Sequence, residues 1–399
     1  MTAQDSTVTA QPSSTSAREF AGQDGGATVE FRGVSKVYQT GQPAVDNLNL
    51  NIESGKITVF VGPSGCGKTT SLRMINRMVE PTSGTITIGG RDVSTIPAHE
   101  LRRSMGYVMQ QAGLLPHRTV LENISTVLRL NKVPRAQARK RSLELLQTVG
   151  LPESMARRYP NQLSGGQQQR VGVARALAAD PPVLLMDEPF SAVDPVVRAE
   201  LQQELLRLQR ELAKTIIFVT HDIDEATILG DRVAVFAVGR RVAQYAPPEE
   251  ILRAPVDDFV ANFVGRDRGF RRLSFSSGES VPIHSAPTTL WDGLLQPDDD
   301  AAAATSRDSG TPGWVLAVDA RNQPLGWLAP RTGSDTNPEI LIPGGSLFRA
   351  GDPLRNALDA ALSSPSGLGV AVDAEGQVTG VIKASDVLAA IDSTREGRG

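Results

Sequence analysis

The sequence of 399 residues contains a single cysteine, Cys66. One thiol cannot form an internal disulfide, so we expect the fold to be held by its core, as is usual in a reducing compartment. No apolar run approaches the roughly 18 residues that a membrane span needs, and the N-terminus lacks the charged-then-apolar layout of a secretory signal. A role at a membrane would therefore require another, membrane-spanning chain.

An excess of one sign of charge is also lacking, because 41 basic residues stand against 44 acidic ones and the formal net charge is −3. Proteins that bind nucleic acid usually carry a basic field or patch. We therefore expect no nucleic-acid partner. The 40% share of hydrophobic residues is ordinary for a globular protein, and the length allows two or three domains.

Composition and patterning divide the chain into regions. Residues 1–26 are rich in Ser, Thr, Gln and Gly and have few large apolar side chains, which predicts a disordered tail. Alternating strand-like and helical patterns over 27–265 predict an α/β domain with a helical subdomain at about 111–165. After a linker, residues 275–392 predict a smaller α+β domain, interrupted by an acidic, Ala-rich disordered insertion at about 297–312.

Continuous apolar runs in the α/β domain predict strands that are covered on both faces. These runs lie at 56–61, 182–186, 215–220 and 232–238. Helical spacing predicts helices over 120–130, 136–149, 194–212 and 249–264. Because strands and helices alternate, we expect a mainly parallel sheet with a ligand at the carboxyl ends of its strands.

The stretch from Gly62 to Thr70, GPSGCGKTT, matches the phosphate-binding loop pattern G-x-x-x-x-G-K-[ST]. Glycines let successive backbone N–H groups point inward at phosphate oxygens, and the helix that follows adds its positive end. Lys68 is expected to reach the β- and γ-phosphates, and the Thr69 hydroxyl to complete a Mg²⁺ shell. A strand before the loop and a helix after it are predicted, as the motif requires.

The whole loop is expected to line the phosphate site. Its other members are Pro63, Ser64, Gly65, Cys66, Gly67 and Thr70. The cysteine occupies a variable position of the pattern, where a small spacer residue is the simple interpretation. A redox-sensitive switch is the alternative, because helix N-termini lower thiol pKa values.

Two further stretches are candidates for binding the metal ion, the attacking water and phosphate. Asp187 and Glu188 follow a buried strand, so the first carboxylate would face the Mg²⁺ and the second would face an attacking water at the γ-phosphate. In LSGGQQQR, the run Ser164, Gly165, Gly166 and Gln167 opens a helix and forms a second anion site. Because the chain already has a phosphate loop, this second anion site is expected to face the nucleotide bound by another subunit.

These motifs, with LLMDEP, SAVD and an isolated histidine after TIIFVT, resemble the ATP-binding subunits of ABC transporters over about residues 28–265. The resemblance implies a P-loop NTPase core that binds ATP and Mg²⁺ and hydrolyses the ATP. It also implies a homodimer that closes head-to-tail on two ATP molecules, with Ser164, Gly165 and Gly166 contacting the partner's γ-phosphate.

The same resemblance assigns roles to single residues. Tyr38 would stack on adenine, and Gln110 would touch the Mg²⁺ and the water and link to the membrane subunit. Glu188 would be the general base, and His221 would hold the γ-phosphate. Asp194 would couple the two sites of the dimer. Three residues would thus serve the metal: Thr69, Gln110 and Asp187.

The C-terminal region contains an internal repeat, 315–328 against 370–382. It resembles a degenerate tandem CBS module, typical of importer subunits for glycine betaine, choline, carnitine and proline. In the second copy, Asp386 stands where the family binds ribose, but Lys383 replaces a hydroxyl residue. A regulatory nucleotide site, an ionic-strength sensor and a dimerisation module all fit this tail.

The resemblance therefore implies an ATPase at the cytoplasmic face of the cell membrane, which energises osmoprotectant uptake through a permease. An extracytoplasmic solute-binding protein would be an indirect partner. An importer ATPase for a polyamine or an inorganic anion is the alternative, although such subunits usually carry a small β-barrel tail. A soluble ATPase acting on nucleic acid or ribosomes usually has two cassettes in one chain and basic linkers, which this sequence lacks.

Overall fold

The computed structural model divides the chain into two units, Met1–Gly265 and Arg266–Gly399. The residues described are 25–38, 41–191, 193–237, 239, 241–265, 268–291, 314–329 and 341–396. The expected disordered tail, up to residue 24, and the insertion at 297–312 lie outside these ranges. Among the described residues, no helix combines the length and the apolar content that crossing a bilayer requires.

Strands and helices alternate along the N-terminal unit. In chain order they are β1 (Val29–Val37), β2 (Pro43–Ile52), β3 (Ile57–Val61), α1 (Lys68–Ile75), β4 (Ser83–Ile88), β5 (Arg91–Asp92), α2 (Ala98–Ser104), β6 (Gly106–Val108), α3 (Val120–Ile124), α4 (Thr126–Leu130), α5 (Arg135–Thr148), α6 (Gly165–Leu177), β7 (Val183–Asp187), α7 (Pro195–Leu212), β8 (Thr215–Val219), α8 (Ile223–Leu229), β9 (Arg232–Phe236), β10 (Val242–Ala246), α9 (Pro248–Arg253) and α10 (Asp258–Val264).

The central sheet has six strands in the order β10-β9-β3-β8-β7-β6. All neighbouring pairs are parallel except β10 with β9. Every residue of β3, β7 and β8 is buried, as expected of strands that are covered on both faces. The mainly parallel sheet predicted from the apolar runs is confirmed, and β3 and β7 end at the same edge on either side of β8.

A second, antiparallel sheet has the order β2-β1-β4-β5. Its inward side chains, among them Phe31 and Ile86, share one apolar cluster with Phe60 and Phe236 of the central sheet. This shared core fixes the β1–β2 hairpin beside the strand that precedes the phosphate loop.

Two helices predicted from the sequence are each broken in the structure. The helix expected over 120–130 is divided at Ser125, because the hydroxyls of Ser125 and Thr126 both donate to the carbonyl of Glu122 and compete with regular helix bonds. The helix expected over 249–264 is divided at Pro255, which has no N–H and disfavours a helical conformation at the residue before it.

The C-terminal unit contains two small sheets, β11-β12-β13-β14 and β15-β16-β17. Its elements are α11 (Arg268–Arg272), β11 (Thr288–Leu290), β12 (Val315–Val318), β13 (Pro324–Leu328), β14 (Leu341–Ile342), β15 (Leu347–Arg349), α12 (Leu354–Ser363), β16 (Leu368–Val372), β17 (Val378–Lys383) and α13 (Ala384–Glu396). The sequence suggests a plain linker up to about residue 275, whereas the structure has α11 and a 3-10 turn there.

The internal repeat is visible in the strand register. Ala317 pairs with Gly326 in the first hairpin, and Ala371 pairs with Gly380 in the second, each followed by the same register shift. Both glycines have φ near 155, a conformation that side-chain-bearing residues rarely adopt. The two hairpins are therefore the same structural unit used twice.

Candidate active site

The phosphate loop joins β3 to α1, and its glycines are required by its shape. Gly62, Gly65 and Gly67 have φ values of 149, 79 and 103. A Cβ atom at Gly62 would collide with the Phe236 carbonyl oxygen, and one at Gly67 would lie 2.5 Å from the Ala44 carbonyl oxygen. The loop can therefore present backbone N–H groups to an anion only with glycine at these positions.

The Lys68 side chain lies inside this loop. Its Nζ donates to the carbonyl oxygens of Gly62 at 2.7 Å and of Pro63 at 2.9 Å, and the residue is 5% exposed. These two carbonyl oxygens hold the Lys68 ammonium inside the phosphate loop. This is the position in which the motif's lysine binds a nucleotide phosphate.

Cys66 is 3% exposed, and burial raises the pKa of its thiol. Thiol reactivity depends on the thiolate, so this environment favours the interpretation of Cys66 as a packed spacer over the redox switch.

Thr69 and Asp187 meet at the carboxyl edge of the sheet. The Thr69 hydroxyl donates to Asp187 Oδ1 at 2.9 Å, while Arg73 and Tyr107 contact Oδ2 at 3.1 and 3.2 Å. Among the described residues, no group of three or more His, Cys, Asp or Glu side chains could hold a metal ion. A threonine hydroxyl and one carboxylate fit Mg²⁺, which takes few protein ligands and completes its shell with phosphate oxygens and water.

Arg73 and Tyr107 were not singled out from the sequence. Arg73 lies four residues after Thr69 on α1, so both side chains share one helix face. Tyr107 is on β6, the neighbour of β7. Burial and the charge of Asp187 raise the pKa of Tyr107, so its hydroxyl stays a donor to the carboxylate.

Glu188 and His221 face each other across the ends of β7 and β8. His221 Nδ1 lies 3.3 Å from Glu188 Oε2, and the Glu188 N–H donates to the Val219 carbonyl oxygen at 3.0 Å. Glu188 has a φ of 46, an unfavourable value for a residue with a side chain. Backbone strain of this kind is concentrated at functional sites, and here it directs the carboxylate toward the histidine.

Gln110 and Tyr38 are exposed at the same end of the unit. Gln110 follows β6, which pairs in parallel with β7, so it emerges at the edge where Asp187 lies. Tyr38 is 45% exposed and follows β1 in a hairpin whose second strand contains Ala44, the neighbour of Gly67. Both side chains are exposed, and the Lys36 ammonium lies 5.1 Å from the centroid of the Tyr38 ring.

The second anion site opens α6. Ser164 caps this helix: its hydroxyl accepts from the Gln167 N–H at 3.3 Å, and the Gln167 side chain accepts from the Ser164 N–H at 3.0 Å. A Cβ atom at Gly165 would meet no atom within 4 Å, whereas one at Gly166 would lie 2.6 Å from Val197. Ser164 and Gly165 are therefore open to solvent, whereas Gly166 is buried against α7.

In the described part of the chain, no hydrogen bond or ion pair links residues 164–167 with the phosphate loop. Asp194 makes local hydrogen bonds: its side chain accepts from the Val196 N–H at 3.0 Å as the cap of α7, and its carbonyl accepts from the Arg198 N–H at 2.8 Å. The chain brings the loop together with Asp187 through Thr69, and Glu188 together with His221.

In the C-terminal unit, Asp386 already has a partner. His284 Nε2 lies 2.7 Å from its Oδ2. His284 also exchanges two backbone hydrogen bonds of 2.8 Å with Val381. A Cβ atom at Gly380 would collide with the His284 carbonyl oxygen. The Asp386 carboxylate, which the resemblance to CBS modules assigns to ribose binding, is thus paired with His284 of the same unit.

Comparison with known proteins agrees with this geometry. Residues 45–191 match the ABC transporter family. The osmoprotectant import ATP-binding protein OsmV of Salmonella typhimurium is 43% identical over 374 residues, 91% of this chain and 95% of that protein. The glycine betaine/carnitine/choline transport ATP-binding protein OpuCA of Bacillus subtilis is 52% identical over 235 residues, 59% of this chain and 62% of that protein.

Among solved structures, the dimeric structure of MJ0796, a bacterial ABC transporter cassette, matches with a TM-score of 0.51 and 38% identity, over 55% of this chain and 98% of that one. The chain has a P-loop fold, a phosphate loop that lies beside a carboxylate, and a relative that matches it over nearly its whole length. It therefore belongs to the ATP-binding subunits of ABC transporters and is an ATPase of that class.

Proposed function

We propose that this ATPase drives the import of a quaternary-amine osmoprotectant, such as glycine betaine, choline, carnitine or proline, through a membrane permease. One observation supports this choice of substrate class. The match to the osmoprotectant protein OsmV spans 374 residues, more than the 265 of the N-terminal unit, and so extends into the C-terminal unit. A relationship confined to the ATPase core would not separate this class of importer from the others.

The residues of the phosphate loop and the edge carboxylate bind the nucleotide. Lys68 and the loop N–H groups hold the phosphates, and Thr69, Asp187 and Gln110 are the oxygen ligands offered to Mg²⁺. When bound, Mg²⁺ neutralises charge on the β- and γ-phosphates. Tyr38 provides a flat apolar face for adenine, as its exposure allows.

Glu188 accepts the proton of the attacking water, and His221 orients the reacting groups. The 3.3 Å contact uses Glu188 Oε2, which leaves Oε1 for the water. A carboxylate held by a second group in this way has one oxygen fixed in direction, as general-base catalysis requires. His221, with most of its ring exposed, can meet the γ-phosphate from the same side.

Two copies complete each site. Ser164, Gly165, Gly166 and Gln167 of one copy would meet the γ-phosphate bound by the other, because among the described residues no hydrogen bond or ion pair links them with the phosphate loop of their own chain. Asp194, beside that surface, would transmit the state of one site to the other. The dimer would lie at the cytoplasmic face of the membrane, against permease subunits that receive solute from an extracytoplasmic binding protein.

The C-terminal unit is proposed to be a degenerate CBS-like module. The doubled hairpin with its matching register supports this assignment. Because Asp386 is paired with His284, the module is expected to act in dimerisation or ionic sensing without holding an adenosine nucleotide tightly.

The experiment is uptake of labelled glycine betaine at raised osmolarity. Cells that contain the permease but lack this chain are complemented with the wild type or with Glu188→Gln, and labelled spermidine and phosphate are tested in parallel. Uptake of glycine betaine restored by the wild type alone supports the substrate class and the base together. Restored spermidine or phosphate uptake, with no effect on glycine betaine, would replace the substrate class and keep the ATPase.

A further inference from the structure

A buried polar network lies directly behind His221, and its central member is Glu225. We propose that Glu225 is a positioning residue that fixes His221 and, through Arg198, connects it to the segment before α7 that contains Asp194. The inference rests on the proposed role of His221 in hydrolysis.

Glu225 anchors the chain beside the histidine. The Thr220 hydroxyl donates to Glu225 Oε2 at 2.6 Å and accepts from the Asp222 N–H at 3.0 Å. The residues immediately before and after His221 are therefore tied to one hydroxyl, and that hydroxyl is tied to Glu225. The direction in which His221 leaves the end of β8 depends on this arrangement.

Arg198 extends the network to the other loop. Its Nη2 donates to the Val193 carbonyl oxygen at 3.3 Å. Its Nη1 lies 4.0 Å from Asp222 Oδ2, and its Nε lies 3.9 Å from Glu225 Oε1. One guanidinium thus touches the segment that precedes α7 and the segment that holds His221.

The pair between Arg198 and Glu225 is incomplete in this structure. Arg198 Nε is buried and has no hydrogen-bond acceptor among the described residues, although the Glu225 carboxylate is 3.9 Å away. A buried donor without an acceptor is unfavourable. A small movement of the Val193 segment would therefore change how firmly Arg198 holds Glu225.

Packing alone does not account for this network. Glu225 is 6% exposed, and Gln202 of α7 also donates to its Oε1, at 3.4 Å. Buried ion pairs contribute little net stability compared with apolar residues of the same size. They do specify one geometry, and the geometry specified here is that of the residue facing Glu188.

The functional consequence is a link between dimer closure and the catalytic histidine. In the proposed dimer, Asp194 lies beside the surface that meets the partner's nucleotide. A shift of that segment would act on Arg198, then on Glu225 and Thr220, and so on His221. Hydrolysis would proceed at full rate only when both loops have reached their closed arrangement.

The test measures kcat and KM for ATP with the full-length chain carrying Glu225→Ala or Glu225→Gln. Misplacement of a catalytic group by about 1 Å can cost up to about a hundredfold, so we expect Glu225→Ala to lower kcat by roughly tenfold or more, with KM for ATP within about twofold. Glu225→Gln keeps an acceptor for Thr220 and is expected to retain more activity than Glu225→Ala.

Gln209→Ala is the matched control. Gln209 lies two helical turns from Gln202 on α7, is 8% exposed, and donates to the carbonyl oxygens of Gly55 and Lys214 at 2.6 and 3.0 Å. It therefore reports what loss of a buried amide on this helix does to stability, and kcat should remain near that of the wild type. If Glu225→Ala fails to fold, Thr220→Val and Thr220→Ser are measured in its place. We then expect Thr220→Val, which loses the hydroxyl, to lower kcat, and Thr220→Ser, which keeps it, to leave kcat near that of the wild type.

A double-variant cycle separates the inference from the function on which it rests. In a His221→Ala background, Glu225→Ala should lower kcat no further, since Glu225 acts through His221. Full additivity of the two losses, or an unchanged kcat in Glu225→Ala alone, would overturn the inference. An unchanged kcat in His221→Ala would overturn the proposed role of the histidine itself.

Discussion

The hydroxyl of Thr69 donates a hydrogen bond of 2.9 Å to Asp187 Oδ1, although 118 positions separate the two residues. The bond joins the helix after the phosphate loop to the last residue of β7, which directly precedes Glu188. It is possible because β3 and β7 end at the same edge of the parallel sheet, with β8 between them. The fold thus places side by side the two side-chain oxygens that we propose as Mg²⁺ ligands.

Lys68→Ala should weaken ATP binding by about 10- to 100-fold, because bonds from a charged donor contribute about 1.5–3 kcal/mol each. Titration with a fluorescent ATP analogue measures the change. Lys56→Ala, at the opposite end of β3, is the control: its pairing with Asp231 at 3.6 Å is about half exposed and such pairs contribute little. Equal losses in the two variants would contradict the assigned role of Lys68.

Glu188→Gln should keep ATP affinity within about twofold and lower kcat by roughly a hundredfold or more, since general-base catalysis supplies about 10²–10⁴. ATP-bound dimers should accumulate, and size-exclusion chromatography with ATP and Mg²⁺ measures them. Glu200→Gln, a surface change at the 3.6 Å pair with Arg170, should hydrolyse normally. Near-normal turnover in Glu188→Gln would remove Glu188 as the base.

Glu225→Gln should change how stability depends on pH. Burial raises the pKa of Glu225, so the folded state keeps this proton up to a higher pH than the unfolded state does. The stability that this group contributes is complete below the unfolded pKa, about 4.3, and is lost as pH rises through the folded value. The variant cannot ionise, so its free energy of unfolding relative to the wild type should rise between pH 4 and pH 7. Denaturant titrations across that range measure the difference, and a flat difference would contradict the shifted pKa.

Cys66 should react slowly with a maleimide at neutral pH, because its thiol is buried and its pKa is raised. The single cysteine makes the measurement unambiguous. ATP should slow the reaction further, and denaturant should bring it to the rate of a free thiol. Rapid labelling of the folded protein would restore the redox interpretation.

His284→Ala should increase the affinity of the C-terminal unit for adenosine nucleotides, since it frees the Asp386 carboxylate from its 2.7 Å contact. Calorimetric titration with AMP measures this in the full-length chain, with the ATP site blocked by a non-hydrolysable analogue. Asp386→Asn is the control and should bind AMP weakly in either background. Tight AMP binding by the wild type would show that His284 does not occupy the site.

The sequence predicted the parts of the fold that local pattern determines. The runs at 182–186 and 215–220 became strands because continuous apolar stretches bounded by polar residues leave few alternatives. The breaks at Ser125 and Pro255 were missed, since helical spacing of apolar residues continues across both. Each break has a local cause that a closer reading of side-chain chemistry can find.

The site shows a similar division. The glycines and Lys68 belong to one contiguous motif, so their places were predictable. The roles of Arg73 and Glu225 were not predictable. Each role depends on a partner that is distant in sequence or on a loop whose course depends on the whole sheet. Arg73 reaches Asp187 across 114 positions, and a single sequence contains no signal for that distance.

The start of α6, Ser164–Gln167, shares no hydrogen bond or ion pair with the phosphate loop of its own chain in the described residues, so each proposed site draws one half from each copy. This separation has a genetic consequence. A cell with one allele altered at Lys68 and another altered at Ser164 would build mixed dimers in which one site receives both intact halves. Such a strain should recover part of its transport, whereas two alleles altered in the same half should recover none.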